Sequence, residues 1–152
     1  MTLSSFRPLA LAIAIPAAAL AVGCGSSSSS SSTTASTPAT TAQTGPSTIA
    51  VGLSEMKIVP DPTSAPAGKV TFDVVNNGAI PHEMVVIKTD KAAGDLGTGS
   101  TVPETGSVGE TGDIAAGAKK TVSFDLKSGH YALICNIPGH YAAGMHADFN
   151  VN

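Results

Sequence analysis

From Thr48 to the C-terminus the apolar residues recur at every second position, and this period of two limits the fold more than any other feature of the chain. Val70, Phe72 and Val74 alternate with Thr71 and Asp73 before the chain breaks at Asn76-Asn77-Gly78. Val122, Phe124 and Leu126 alternate with Thr121, Ser123, Asp125 and Lys127, the clearest strand in the sequence. Tyr131, Leu133 and Cys135 share one face of another strand, with Ala132 and Ile134 opposite. Met84-Val85-Val86-Ile87 is a continuous apolar run of strand length, and Ala147, Phe149 and Val151 alternate with Asp148 and Asn150. With 49–53 and 57–59 the tally is six or seven short strands and no amphipathic helix, which predicts an all-β, two-sheet sandwich. Gly 16 and Pro 10 supply the turns, and with aromatics at 4% and no Trp the core must be built from Val, Ile, Leu, Ala and four Phe. Residues 91–116, Gly-rich, acidic and weakly apolar, predict a long excursion at one end of the sandwich with a short strand near Val108. The 106 residues from position 47 onward suffice for one domain and carry eleven carboxylates against seven cations, a formal charge of −4. That balance argues against a nucleic-acid or anionic-membrane surface.

The first 46 residues have a different character. Arg7 is the only charge among the first 54, and residues 9–22 form an apolar run broken by Pro16. As a helix this run reaches about 21 Å, short of the roughly 30 Å hydrocarbon core, so an export signal is the stronger reading and a permanent span the weaker. The run ends Leu20-Ala21-Val22-Gly23-Cys24, which resembles the lipobox of bacterial lipoproteins, although Ala21 replaces the usual Leu. The resemblance implies a signal peptide over 1–23, cut before Cys24, which becomes the lipidated N-terminus. The alternative is an ordinary secretory signal cleaved nearby. Either route exports the chain. The lipoprotein reading places it in the periplasm or on the outer face of the cytoplasmic membrane. Residues 26–44 are almost wholly Ser, Thr and Ala, with seven consecutive serines and no charge. Nothing there offsets ordering entropy, so 24–46 reads as a disordered leash of about 25 Å end to end, with the folded domain over 47–152.

If Cys24 holds lipid, Cys135 has no intramolecular disulfide partner. An unpaired thiol in an exported domain points to intermolecular pairing or to a protected metal thiolate. Its neighbours favour the second. Cys135, His140 and Met145 stand at C-x4-H-x4-M, with Pro138-Gly139 and Gly144 available for tight bends. Alone, the Cys would read as an apolar filler and the Met as packing. Together, on a loop leaving a strand, a thiolate, an imidazole and a thioether select copper, with zinc as the fallback. A further donor is expected from elsewhere, and His82, at a strand start after Pro81, provides it. The set of two imidazoles, one thiolate and a weak axial Met145 is the type 1 arrangement used for one-electron transfer.

From these residues the domain resembles the cupredoxins, its loop being more similar to those of rusticyanin, auracyanin and sulfocyanin than to the tighter loop of plastocyanin. The resemblance covers roughly 48–152 and implies a Greek-key β-sandwich of about eight strands. It also implies one mononuclear type 1 copper on His82, Cys135, His140 and Met145, and transient exchange of electrons with a donor and an acceptor redox protein. Tyr131 matches the tyrosine that anchors the segment before the ligand strand. Glu83 departs from the Asn or Ser usual after the first His, which bears on the surroundings of the thiolate. His140 is expected as the electron exit, framed by Ile137, Pro138, Ala142 and Ala143 for brief docking. A monomer without enzymatic activity, tethered to the membrane by its lipid, is expected. The rival is a copper module for storage, delivery or resistance, against which stands the lack of a methionine cluster: only Met56, Met84 and Met145 remain after the signal. His130 and His146 are expected to be solvent-exposed.

Overall fold

The computed structural model describes residues 47–152; the export segment, Cys24 and the 24–46 leash expected from sequence lie outside them. Nine strands follow one another: β1 (Ser47–Ser54), β2 (Lys57–Asp61), β3 (Ser64–Ala65), β4 (Gly68–Asn76), β5 (Val85–Lys88), β6 (Ser107–Glu110), β7 (Lys119–Leu126), β8 (Gly129–Ile134) and β9 (His146–Val151). One 3-10 turn, Ala93–Asp95, is the only helical element among the described residues. The strands make two sheets, ordered β2-β1-β4-β7 and β3-β9-β8-β5-β6. β1 runs parallel to β4, and β3 to β9. The other pairs are antiparallel, so the chain crosses between sheets as a Greek key.

The alternation read from the sequence is the reason these segments form strands. Ile49, Val51 and Leu53 of β1 and Val70, Phe72 and Val74 of β4 point inward from the first sheet. Tyr131 and Leu133 of β8 and Phe149 and Val151 of β9 meet them from the second. Phe72 and Phe149 join the two layers edge to face, with ring centroids 5.4 Å apart. At the open side of the sandwich β6 comes close to β7. A Cβ on Gly109 would lie 2.2 Å from Cε1 of Phe124, at a φ of +149° that side chains rarely adopt, so only glycine lets the two edges meet.

β5 and β8 of the second sheet are buried on both faces, which accounts for their continuous apolar runs. Val85, Ile87, Ala132 and Ile134 form a separate cluster on the outer face with Ala93, Val102 and Tyr141. This corrects the expectation for 91–116. Rather than projecting from one end, the excursion folds across the outer face of the second sheet, then pairs β6 with β5 and sends Ile114 into the main core. The β6 strand lies where a short strand near Val108 was expected. The two-residue β3 was not foreseen.

Candidate metal centre

Cys135 follows the last residue of β8, a strand held between β9 and β5. Alternation turns its side chain to the face of Tyr131 and Leu133, and its N–H donates to the Met145 carbonyl at 3.0 Å, so the two ends of the loop are tied together. Within the loop the His140 N–H donates to Ile137 O at 3.0 Å and the Met145 N–H to His140 O at 3.1 Å. Gly139 and Gly144 take φ of +89° and +101°, the bends that bring the chain back on itself. Tyr131 anchors the start of the strand: its hydroxyl donates to Lys127 O at 2.8 Å and accepts from Lys127 N–H at 3.1 Å.

His82 lies before β5, on an isolated bridge with Ile114. Its N–H donates to Ile114 O at 3.1 Å, and the Ile114 N–H donates back at 2.7 Å. Behind this bridge sits Asn76, fully buried at the end of β4. Its Nδ2 donates to Ile80 O at 2.8 Å and to Ile114 O at 2.9 Å, while its Oδ1 accepts from Gly78 N–H at 2.9 Å. The Glu55 carboxylate, from the β1–β2 turn, accepts the Ala79 N–H. A stretch without regular structure is thereby fixed through five of its carbonyls and amides to Asn76, Glu55 and Ile114.

The donors converge. His82 Nδ1 and His140 Nδ1 are 3.2 Å apart, Cys135 Sγ is 3.3 Å from His140 Nδ1, and all three atoms lie within 4.8 Å of one another. Two nitrogens about 2.0 Å from a first-row ion, at a near-tetrahedral angle, stand about 3.3 Å apart. His82, Cys135 and Met145 have no exposed surface, and His140 retains 9%. Burial pushes the Cys135 thiol up, against the opposing pull of the Glu83 and Ile137 amides. The Glu83 N–H approaches Sγ at 3.5 Å. Burial lowers the pKa of His82, and His140 beside it adds to this. Neutral imidazoles are the form that binds metal, and a buried thiol loses its proton to solvent readily only when a cation takes its place on the sulfur. Two imidazoles and a thiol facing one point fit a soft first-row ion.

A His-Cys-His centre at one pole of a Greek-key sandwich defines a type 1 copper site. The family of copper-binding proteins of the plastocyanin/azurin type matches residues 47–152, and the chain belongs to that family. Among solved structures it is similar to auracyanin A, a "blue" copper protein from Chloroflexus aurantiacus, at 29% identity over 71% of this chain and 100% of that one, TM-score 0.53. It is similar in fold to auracyanin B, at 24% identity over 70% and 88% of the two chains, TM-score 0.57. Rusticyanin from Thiobacillus ferrooxidans shares the fold at 18% identity over 69% and 77%, TM-score 0.54. No curated protein matches the chain.

The residues expected around the exit lie on the loop as follows: Pro138, Ala142 and Ala143 exposed, Ile137 half-buried, His140 nearly covered. Two expectations need correction. His130 is not free in solvent: its ring nitrogens lie 2.9 Å from Thr89 O and 2.9 Å from Asp148 Oδ1. His146 is half-buried, its ring 5.3 Å from that of Tyr141, because the excursion covers the face of β9 that alternation alone left open. Glu83 turns its carboxylate to the Asn136 N–H at 3.0 Å. Its backbone amide, which any residue would supply, is what faces the sulfur. Sequence reasoning treated Asn76 only as a turn residue and assigned no role to Asn136 or Tyr141. The one available signal was an Asn directly after the ligand cysteine.

Proposed function

We propose that the protein is an exported, lipid-anchored carrier of single electrons, with Cys24 as the lipidated residue and with His82, Cys135, His140 and Met145 as the residues that would hold the copper. When bound, copper supplies a one-electron couple between Cu(I) and Cu(II). The chain's part is to keep the donors still. Cys135 hangs from a central strand, His82 from a bridged segment, and the loop closes on itself through the Cys135–Met145 backbone bond. Such a frame leaves little to rearrange when charge changes, and the apolar surroundings of Met145 and Cys135 favour the less charged state.

The observation that carries this reading is the distribution of exposure. His140 alone among the four residues reaches the surface, amid Ile137, Pro138, Ala142 and Ala143, a small apolar rim suited to contacts that form and release quickly. Full burial of the other three disfavours storage or delivery, which needs donors that a recipient can reach. No residue is assigned to catalysis. The test is to load the protein with Cu(II) and record its visible and electron paramagnetic resonance spectra together with its voltammetry. An intense charge-transfer band, narrow hyperfine splitting and reversible one-electron cycling are expected. Tight copper binding without reversible cycling would favour the storage module.

A further inference from the structure

The 89–106 part of the excursion makes no hydrogen bond to the side chains of His82, Cys135, His140 or Met145, yet it bonds to the ligand loop at three places. Asn136, next to Cys135, accepts the Val102 N–H on Oδ1 at 2.8 Å; its Nδ2 donates to Val102 O at 3.0 Å and to Glu104 Oε1 at 2.7 Å. The Gly139 N–H, next to His140, donates to Ser100 O at 2.7 Å. Tyr141, on the other side of His140, donates its hydroxyl to Ala93 O at 2.8 Å and accepts the Leu96 N–H at 3.0 Å. The far end of the same segment is pinned to the sheet, since Asp148 Oδ1 accepts the Ala93 N–H at 2.7 Å and lies 2.9 Å from His130 Nε2.

These contacts have a common geometry. Each involves a residue immediately beside a donor, and together they bracket the peptide between Cys135 and His140. The ligand loop's own bonds close it internally but do not fix it against the sheet beneath. Tyr141 does that, with its ring in the outer cluster and both hydroxyl bonds made to the excursion. We propose that the 89–106 segment is a positioning brace for the metal loop, and that Asn136 and Tyr141 are the positioning residues through which it holds Cys135 and His140 in register before copper arrives. This rests on the copper site itself and not on the electron-carrier reading.

The experiment compares Tyr141→Phe, Glu104→Ala and Glu104→Gln with the unaltered protein. Tyr141→Phe keeps the buried ring and loses only the hydroxyl; the Glu104 changes lie on the exposed side of the brace and touch no donor. Two readouts are taken: amide hydrogen exchange in the copper-free protein, and the rate at which copper passes from the loaded protein to excess EDTA. For Tyr141→Phe, exchange at the His140 and Met145 amides and copper release should each rise about tenfold, the consequence of losing one or two hydrogen bonds. The Phe72 and Leu133 amides should stay as protected as before. Glu104→Ala should give a rise of about threefold in both readouts, and Glu104→Gln, which retains an acceptor for Asn136, should largely restore the original rates. Unchanged exchange at His140 and Met145 overturns the brace, and so does faster exchange spread evenly to Phe72 and Leu133, which would mark a general loss of stability. If the unaltered protein takes up no copper, the copper site is refuted, while the exchange arm still decides whether the loop is braced.

Discussion

At the scale of single residues, the thiol of Cys135 and the ring of His82 both sit where burial favours their uncharged forms. The two shifts act on opposite sides of neutrality in the copper-free protein. His82 has a folded pKa below its ordinary 6.5, so the unfolded chain takes up a proton first and stability is lost as pH falls through 6.5. Cys135 has a folded pKa above its ordinary 9.0, so the unfolded chain loses its proton first and stability is lost as pH rises through 9.0. Thermal unfolding of the apo-protein should therefore show a fall in midpoint between pH 6.5 and 5 that His82→Asn reduces. An identical slope in the variant would remove His82 as the cause. Cys135→Ser should abolish the intense visible absorption of the copper-loaded protein while circular dichroism still reports a β-fold, because a hydroxyl is no substitute for the soft sulfur. Asn76→Ala leaves Ile80 O, Ile114 O and the Gly78 N–H without a side-chain partner and should cost about 2–3 kcal/mol in urea unfolding. Cys135 and His140 were legible as a candidate pair because their chemistry is rare and their spacing short, and His82, which the structure brings to them, because it opens an apolar run after Pro81. Asn76 was not, since Asn-Asn-Gly already explains itself as a turn and Ile114 lies 38 positions away.

At the scale of elements, the strands that sequence made plain are those with one face in the core. β4 and β9 carry regular alternation, and their limits fall within a few residues of the expected ones. β8 and β5 gave a second clue that went unused. Both faces of Tyr131–Ile134 and most of Val85–Lys88 are apolar, which requires cover on the outer side as well as the inner. That cover is the excursion, whose Ala93, Leu96 and Val102 lie among glycines at no regular period. A segment without periodicity carries no sign of which surface it will meet, so its place on the sheet, and with it the burial of His130 and His146, could not be read. β3 was invisible for a simpler reason: two residues hold no pattern. The approach of β6 to β7 yields a test at this scale. Gly109→Ala pushes a methyl group into the Phe124 ring and should destabilise the protein by at least about 1–3 kcal/mol, measured by chemical denaturation. A smaller effect would mean that the two edges separate easily.

At the scale of the whole molecule, a site assembled in advance of its ion should hand binding energy directly to the fold. Copper at a hundred times its dissociation constant stabilises by about 2.7 kcal/mol, or about 10–20 °C in midpoint for a domain of this size. Scanning calorimetry with and without Cu(II) checks this, and a midpoint indifferent to copper would contradict the assembled site. The parallel pairing of β1 with β4 has a further consequence. Ser47 pairs with Val70 at the start of β4, whereas Leu53 reaches Asn76 and Asn77 beside the His82 segment. The domain's first strand thus begins about 23 Å from the end it reaches near the histidines. The chain enters the domain at its heel, and the histidines stand at the toe.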